Sequence, residues 1–225
     1  MDIVPEATRR YLRAVGPDHD AIQTEMADYA AENGFPIIGP ESGAVLRLLA
    51  RLTAAESVFE FGSGYGYSAY WFLRGMDGGH VVLTEFDADE LDMAREFFGR
   101  AGLTERATFE GGDAVDIVDE YDGPFDVVLV DHEKERYAEA FEKVRGKVAP
   151  GGVVVADNLM RGPIAFDALL AYLEGDDGTS VDDALDGENA ETRGIAEYLD
   201  TVRAAQGFET VALPVGSGLA VTTRL

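Results

Sequence analysis

Hydrophobic positions along this chain follow one rhythm up to about residue 55 and another beyond it. In the first stretch they recur three and four residues apart, the spacing of helices with one buried face. "PEATRRYLRAV" (5–15) places helix formers behind an early proline. "DHDAIQTEMADYAAENG" (18–34) opens on acids and closes on glycine, as a helix does. "FPIIGP" (35–40) reads as a break, and "ESGAVLRLLARL" (41–52) resumes the helical spacing.

From residue 57 short apolar runs alternate with amphipathic ones. "SVFEF" (57–61), "HVVLTEF" (80–86), "ATFEG" (107–111), "FDVVLV" (125–130) and "GGVVVAD" (151–157) predict strands. "YSAYWFLRGM" (67–76), "DADELDMAREFFGRAG" (87–102), "DAVDIVDEY" (113–121) and "EKERYAEAFEKVRGKV" (133–148) predict the helices between them. Such alternation implies a parallel sheet with helices on both faces. Near the end, "EGDDGTSVDDALDGENAET" (174–192) is acidic and glycine-rich and reads as a solvated loop, an insert over 175–192. "RGIAEYLDTVRAAQG" (193–207) is helical, and "FETVALPVGSGLAVTTRL" (208–225) predicts an antiparallel hairpin closing the sheet edge. The expected fold is therefore α/β: a Rossmann-like, doubly wound, mostly parallel sheet of about seven strands with a C-terminal antiparallel hairpin. A helical segment over 1–55 precedes it, and 1–225 is read as a single domain.

Composition narrows the classes. Lys plus Arg is 18 against 43 Asp plus Glu, a formal net charge of −25, and only three of the basic residues are lysines. Such a surface repels phosphate backbones, so no nucleic acid partner is expected. Self-repulsion of this size weakens the fold at low salt, and molar salt screens it by shortening the Debye length to ~3 Å. The pattern resembles proteins of halophiles that accumulate salt. Cysteine is absent, which excludes disulfides, thiolate metal sites and cysteine nucleophiles. No apolar run approaches the ~20 residues that span a bilayer, and the N-terminus lacks a signal-peptide pattern. A cytoplasmic protein with no membrane partner is expected.

The candidate chemistry begins at "VFEFGSGYGYS" (58–68), where a strand runs into Gly62, Gly64 and Gly66 before a helix. Glycines there allow a tight turn and close approach of a ligand to the backbone. Glu85, about 20 residues on, ends the second predicted strand, where an acid hydrogen-bonds a ribose hydroxyl. Together they indicate a nucleoside-containing cofactor. "GYGYSA" (64–69) fits the dinucleotide pattern G-x-G-x-x-A. Read from Glu60, the same loop fits E-x-G-x-G-x-G, the first motif of S-adenosylmethionine (SAM) methyltransferases. Glu60 favours SAM: a carboxylate there repels a pyrophosphate and suits the amino-acid end of a cationic sulfonium.

"FEFGSGYGYSA" (59–69), "DHEKERY" (131–137) and "VVVADN" (153–158) together resemble the metal-dependent O-methyltransferases of the catechol and caffeoyl-CoA type. "FPIIGPESG" (35–43) is similar to that family's segment leading into the core, and "LPVGSGLAVTTRL" (213–225) to its closing hairpin. The resemblance implies a metal bound by Asp131, Asp157 and Asn158, and Lys134 as general base. Oxygen ligands at the ends of adjacent strands, ~4.8 Å apart, are able to converge, and such a set suits Mg²⁺ or another divalent cation. Taken singly, Asp131 reads equally as a helix cap, Asp157–Asn158 as a turn and Lys134 as a solvated helix residue. Positive charges nearby favour a neutral lysine able to take a hydroxyl proton. The resemblance places His132 near the cofactor, with a satisfied, half-buried histidine as the alternative. Asp113 and Ala114 match the adenine pocket, although Asp113 could cap a helix. Ser63 and Ser68 could donate to the cofactor carboxylate, and Ile38 matches a backbone contact.

The expected partner is a small hydroxylated aromatic that chelates the metal with two oxygens, and relatives with similar N-terminal helices suggest a homodimer. Glu133 stands where catechol methyltransferases carry an aromatic wall, which leaves the acceptor open. Two other readings stand beside this one: an NAD-dependent oxidoreductase, and a SAM-binding module without catalysis.

Overall fold

Runs of β-branched residues, apolar on both sides, need cover on both sides, and the computed structural model supplies it. It describes residues 4–175 and 179–225. The strands are β1 (Ser57–Phe61), β2 (His80–Glu85), β3 (Ala107–Gly111), β4 (Phe125–Val130), β5 (Val148–Ala156), β6 (Phe208–Leu213) and β7 (Leu219–Arg224). They form one sheet in the order β3-β2-β1-β4-β5-β7-β6. β1 to β5 run parallel, and β7 runs antiparallel to both β5 and β6. The helices are α1 (Glu6–Val15), α2 (Ala21–Asn33), α3 (Gly39–Leu52), α4 (Tyr67–Gly75), α5 (Ala88–Ala101), α6 (Ala114–Ile117), α7 (Tyr137–Val144), α8 (Phe166–Leu173), α9 (Val181–Ala184) and α10 (Ala190–Ala204).

Alternation along the strands divides the core. Phe59, Phe61, Val128 and Val130 pack with Tyr137 and Phe141 of α7 and Ile195 of α10. Val58, Val127 and Leu129 pack on the other face with Leu46 of α3 and Trp71 and Phe72 of α4. The period of two puts neighbours on opposite faces. The same alternation carries Glu60 to the face of Val58, where no carboxylate is expected.

Register positions the site. Phe61 pairs with Val130, and Val130 with Ala156. Gly62, Asp131 and Asp157 are thus the first residues past three strands that end level. Asp131 N–H donates to the Phe61 carbonyl at 3.0 Å and Asp157 N–H to the Val130 carbonyl at 3.2 Å. The strand order reverses between β1 and β4, the place where open α/β sheets leave a crevice. Gly62 makes the meeting possible. Its φ is 77°, and a Cβ there would sit 2.7 Å from the Asp131 carbonyl oxygen.

Three boundaries differ from expectation. α3 starts at Gly39, inside "FPIIGP", because Pro40 sits in the first helical turn, where its missing N–H costs nothing. Lys134–Arg136 form a tight 3₁₀ turn before α7, and Val148 leaves the helix for β5 by pairing with Phe125. The acidic segment is more ordered than a solvated loop. Ser180 Oγ accepts the Asp183 N–H, Asn189 caps α10 through the Thr192 N–H, and Leu185 is buried in the core. Residues 176–178 of that insert lie outside the described residues. No helix among the described residues is long and apolar enough to cross a membrane.

The α3–α4 contact is close at Gly43, where a Cβ would run into the fully buried Trp71 indole. Gly→Ala inside a helix ordinarily stabilises by about 1 kcal/mol. Gly43→Ala is expected to destabilise instead, by about 1–3 kcal/mol from overpacking. Urea unfolding monitored by Trp71 fluorescence gives the sign.

Candidate active site

A cavity of about 620 Å³ opens at the carboxyl edge of the sheet. Its wall includes Ile38, Gly62, Ser63, Gly64, Ser68 and Glu85 on one side of the sequence set, and Asp113, Ala114, Asp131, His132, Lys134, Asp157 and Asn158 on the other. Only Glu60 among the expected residues is absent from the wall. It lies on β1 beneath the glycine turn, with 0% of its surface exposed. Neither carboxyl oxygen has a hydrogen-bond partner of good geometry. Burial pushes its pKa up to about 8, while the Ser68 and Ser63 hydroxyls pull the other way.

The glycine turn is braced by side chains that also face the cavity. Glu85 Oε2 accepts the Gly64 N–H at 2.9 Å and Oε1 the Asp87 N–H at 3.1 Å. Ser63 Oγ accepts the Thr84 N–H at 3.0 Å. These bonds hold the turn to the end of β2 and leave each carboxylate oxygen of Glu85 a second lone pair.

Past β4, the residues of "DHEKERY" divide their work. Asp131 does not cap the turn that follows, whose cap position is Glu133. Its Oδ1 accepts from Lys134 Nζ at 3.1 Å, and Nζ also donates to the His132 carbonyl at 3.0 Å. Tyr137 hydroxyl donates to the Asp157 carbonyl at 3.3 Å, tying α7 to the end of β5. Lys134 is thus neither a solvated helix residue nor on a regular first turn. His132 is not a satisfied histidine: both ring nitrogens are buried without hydrogen-bond partners. Its ring stacks on Tyr137 at 5.4 Å and 12°, and burial, with Lys134 next, lowers its pKa to about 4. Asp113 does cap α6, accepting the Val115 N–H at 2.9 Å. It also pairs with Arg136 at 2.6 Å, which holds its carboxyl below the usual range.

Asp157 is buried, and its Oδ1 has no partner. Burial raises the pKa of both Asp157 and Asp131; for Asp157 the Asp131 charge is the next cause, and for Asp131 the Lys134 ammonium opposes the shift. Asn158 follows at a left-handed φ of 61°, its amide 3.4 Å from Asp157 Oδ2. Two adjacent carboxylates, one buried with an orphaned oxygen and one half-buried, with an amide alongside, form a donor set that fits a hard divalent cation. Among the described residues no cluster of three His, Cys, Asp or Glu forms a metal centre, so the set depends on the Asn158 amide.

Residues 18–225 match the family model of the O-methyltransferases. The chain belongs to that family. A catechol O-methyltransferase from Niastella koreensis is 37% identical over 154 residues, 65% of this chain and 69% of the relative. One from Mycobacterium tuberculosis is 33% identical over 150 residues, 66% of this chain and 68% of the relative. An O-methyltransferase from Bacillus cereus, solved in complex with SAH, superposes with a TM-score of 0.81 at 25% identity, covering 97% of both chains. The dinucleotide reading of "GYGYSA" is overturned by this membership: the glycine turn is that of a methyltransferase.

Among the wall residues of this methyltransferase that had not been singled out are Tyr67, Glu90 and Arg136. Arg136 stands inside "DHEKERY", so a signal was present; Tyr67 and Glu90 carried none beyond their nearness to the glycines and Glu85.

Glu60 makes stability pH-dependent. Its folded pKa of about 8 lies above the ordinary 4.5. Its contribution is fully present below pH ~4.5 and is lost as pH rises through 8, because only the unfolded chain ionises readily in that window. Glu60→Gln is expected to match the wild type near pH 4 and to be more stable near pH 8 by roughly 2–4 kcal/mol. Denaturant titrations at both pH values test this; an unchanged difference would mean that Glu60 is ionised in the fold.

Proposed function

We propose that this O-methyltransferase moves a methyl group from SAM to a hydroxyl of a small catechol-like or phenolic acceptor, with Mg²⁺ or a similar divalent cation held by Asp131, Asp157 and Asn158. The observation that carries the reading is the pair of carboxylates, half-buried Asp131 and buried Asp157, at level strand ends beside Lys134. Two of the relatives are catechol O-methyltransferases, which supports the acceptor class. Bound there, SAM supplies an electrophilic methyl group and the cation polarises the acceptor hydroxyl.

The chain's own residues do the rest. Ser63 and Ser68, with Glu60 behind them, receive the amino-acid end of the donor. Glu85 takes a ribose hydroxyl with its remaining lone pairs. Ala114, His132 and the Asp113–Arg136 pair border the adenine, and His132, neutral at physiological pH, packs without adding charge. Ile38 closes the side formed by the segment before α3. Lys134 Nζ is the proton acceptor for the hydroxyl. It rests as a donor to Asp131 and the His132 carbonyl, and a cation held by Asp131 would compete for that carboxylate, so that the ammonium could pass a proton to solvent before taking the one from the hydroxyl. Holding two reactants in line supplies most of the acceleration; such positioning is worth roughly 7–11 kcal/mol.

Lys134→Ala is expected to bind SAM within about threefold of wild type yet lose methyl transfer by 10²-fold or more. Calorimetry with SAM and product formation from a catechol panel in Mg²⁺ separate the two effects. EDTA is expected to abolish turnover and Mg²⁺ to restore it. Loss of SAM binding together with turnover would make Lys134 a structural residue, and full activity in EDTA would remove the metal from the reading.

A further inference from the structure

Glu90 occupies the third position of α5, after the cap Asp87. In a capping pair of this spacing the third-position carboxylate reaches back to the cap residue's N–H. Here that N–H is already taken by Glu85 Oε1 at 3.1 Å. Glu90 is turned instead to the cavity wall, and its Oε2 lies 3.7 Å from where a Gly64 Cβ would be. Glu85 reaches the same glycine from the other side, accepting its N–H at 2.9 Å. Two carboxylates therefore flank one turn of the cavity, one committed to backbone and the other with no structural bond assigned to it.

We propose that Glu90 is a second ribose-binding carboxylate, so that Glu85 and Glu90 each accept one hydroxyl of the donor's vicinal diol. The inference rests on the reading of the cavity as a SAM site. A diol presents two donors, and a second carboxylate at the same turn gives one of them an acceptor that is not already shared with backbone N–H groups, as both Glu85 oxygens are. A first-turn acid ordinarily gains from the helix dipole. Glu90 nonetheless has its pKa raised to about 7, by burial first and then by Glu85 and Asp87. The groups facing it are Glu85 from β2, Asp87 from the loop before α5 and Tyr65 from the glycine turn, and none is a cation. A hydroxyl donor relieves that crowding without adding charge.

The test is calorimetric titration of the full chain with SAH, adenosine, 2′-deoxyadenosine and 3′-deoxyadenosine, for wild type and Glu90→Leu. Wild type is expected to bind SAH about tenfold more tightly than the variant at pH 8, as for loss of a hydrogen bond to a charged group. That gap is expected to close toward pH 6, where Glu90 takes up its proton, and to vanish for the one deoxynucleoside that lacks its partner hydroxyl. Glu60 titrates in a neighbouring window, so the difference between the two proteins is the quantity read. Equal affinities at pH 8, or a gap that persists for both deoxynucleosides, overturn the role of Glu90. Failure of wild type to bind SAH at all overturns the SAM reading itself. An unchanged melting temperature in Glu90→Leu excludes misfolding as the cause of a loss; if it falls, Glu90→Gln with the same nucleosides carries the comparison.

Discussion

Three carboxyl groups sit where a parallel sheet turns over: Glu60 and Asp157 are buried with oxygens that lack partners, and half-buried Asp131 is paired with Lys134 beside them. Burying a charge is costly unless it is paired, and like charges close together raise the cost. The fold accepts this because strand register leaves no alternative. Once Phe61, Val130 and Ala156 are level, whatever follows them shares one small volume. The arrangement is a poor way to stabilise a protein and a good way to receive positive charge. It is the physical basis of the proposal that the cavity takes a cation and a cationic donor.

The remaining architecture keeps that edge in place. Leu159 N–H donates to the Gly218 carbonyl at 3.1 Å and Met160 N–H to Ser217 at 2.9 Å. The hairpin turn between β6 and β7 thus pins the chain just after Asn158, which is held at a left-handed φ. Across the sheet, Tyr137 connects α7 to the end of β5, and its ring supports His132. His19 Nε2 meets the Tyr67 hydroxyl at 2.8 Å, so the segment before α2 reaches the cavity wall. Elements distant in sequence each fix one part of the site, and none of them alone would order it.

The strands and most helices were legible because their signal is local: alternating or continuous apolar runs, acids at helix starts and glycine at helix ends. The site was legible for a different reason, since parallel strands of known order deliver the residues that follow them to one edge. What remained hidden depended on competition between local rules. Pro40 looked like a break but is also a good first-turn residue. Val148 continued a helical pattern until β4 offered it a partner. The acidic run before α10 looked solvated, although Leu185 within it has a core to enter. Glu90 carried the spacing of a helix cap, and only the bond from Asp87 to Glu85 shows that the cap is otherwise filled.

The two kinds of acidity in this chain are physically distinct. The net charge of −25 resides mostly on exposed side chains, where ions at molar concentration screen it within ~3 Å. Asp157 is buried and Asp131 half-buried on the cavity wall, so salt screens their mutual repulsion less than it screens the exposed charges. Salt therefore relieves the surface more than it weakens the site. In a methyltransferase of this composition, salt acts chiefly on the exposed charges and least on buried Asp157 and Glu60. The reverse design, with recognition carried by surface ion pairs, would lose its selectivity under the same conditions.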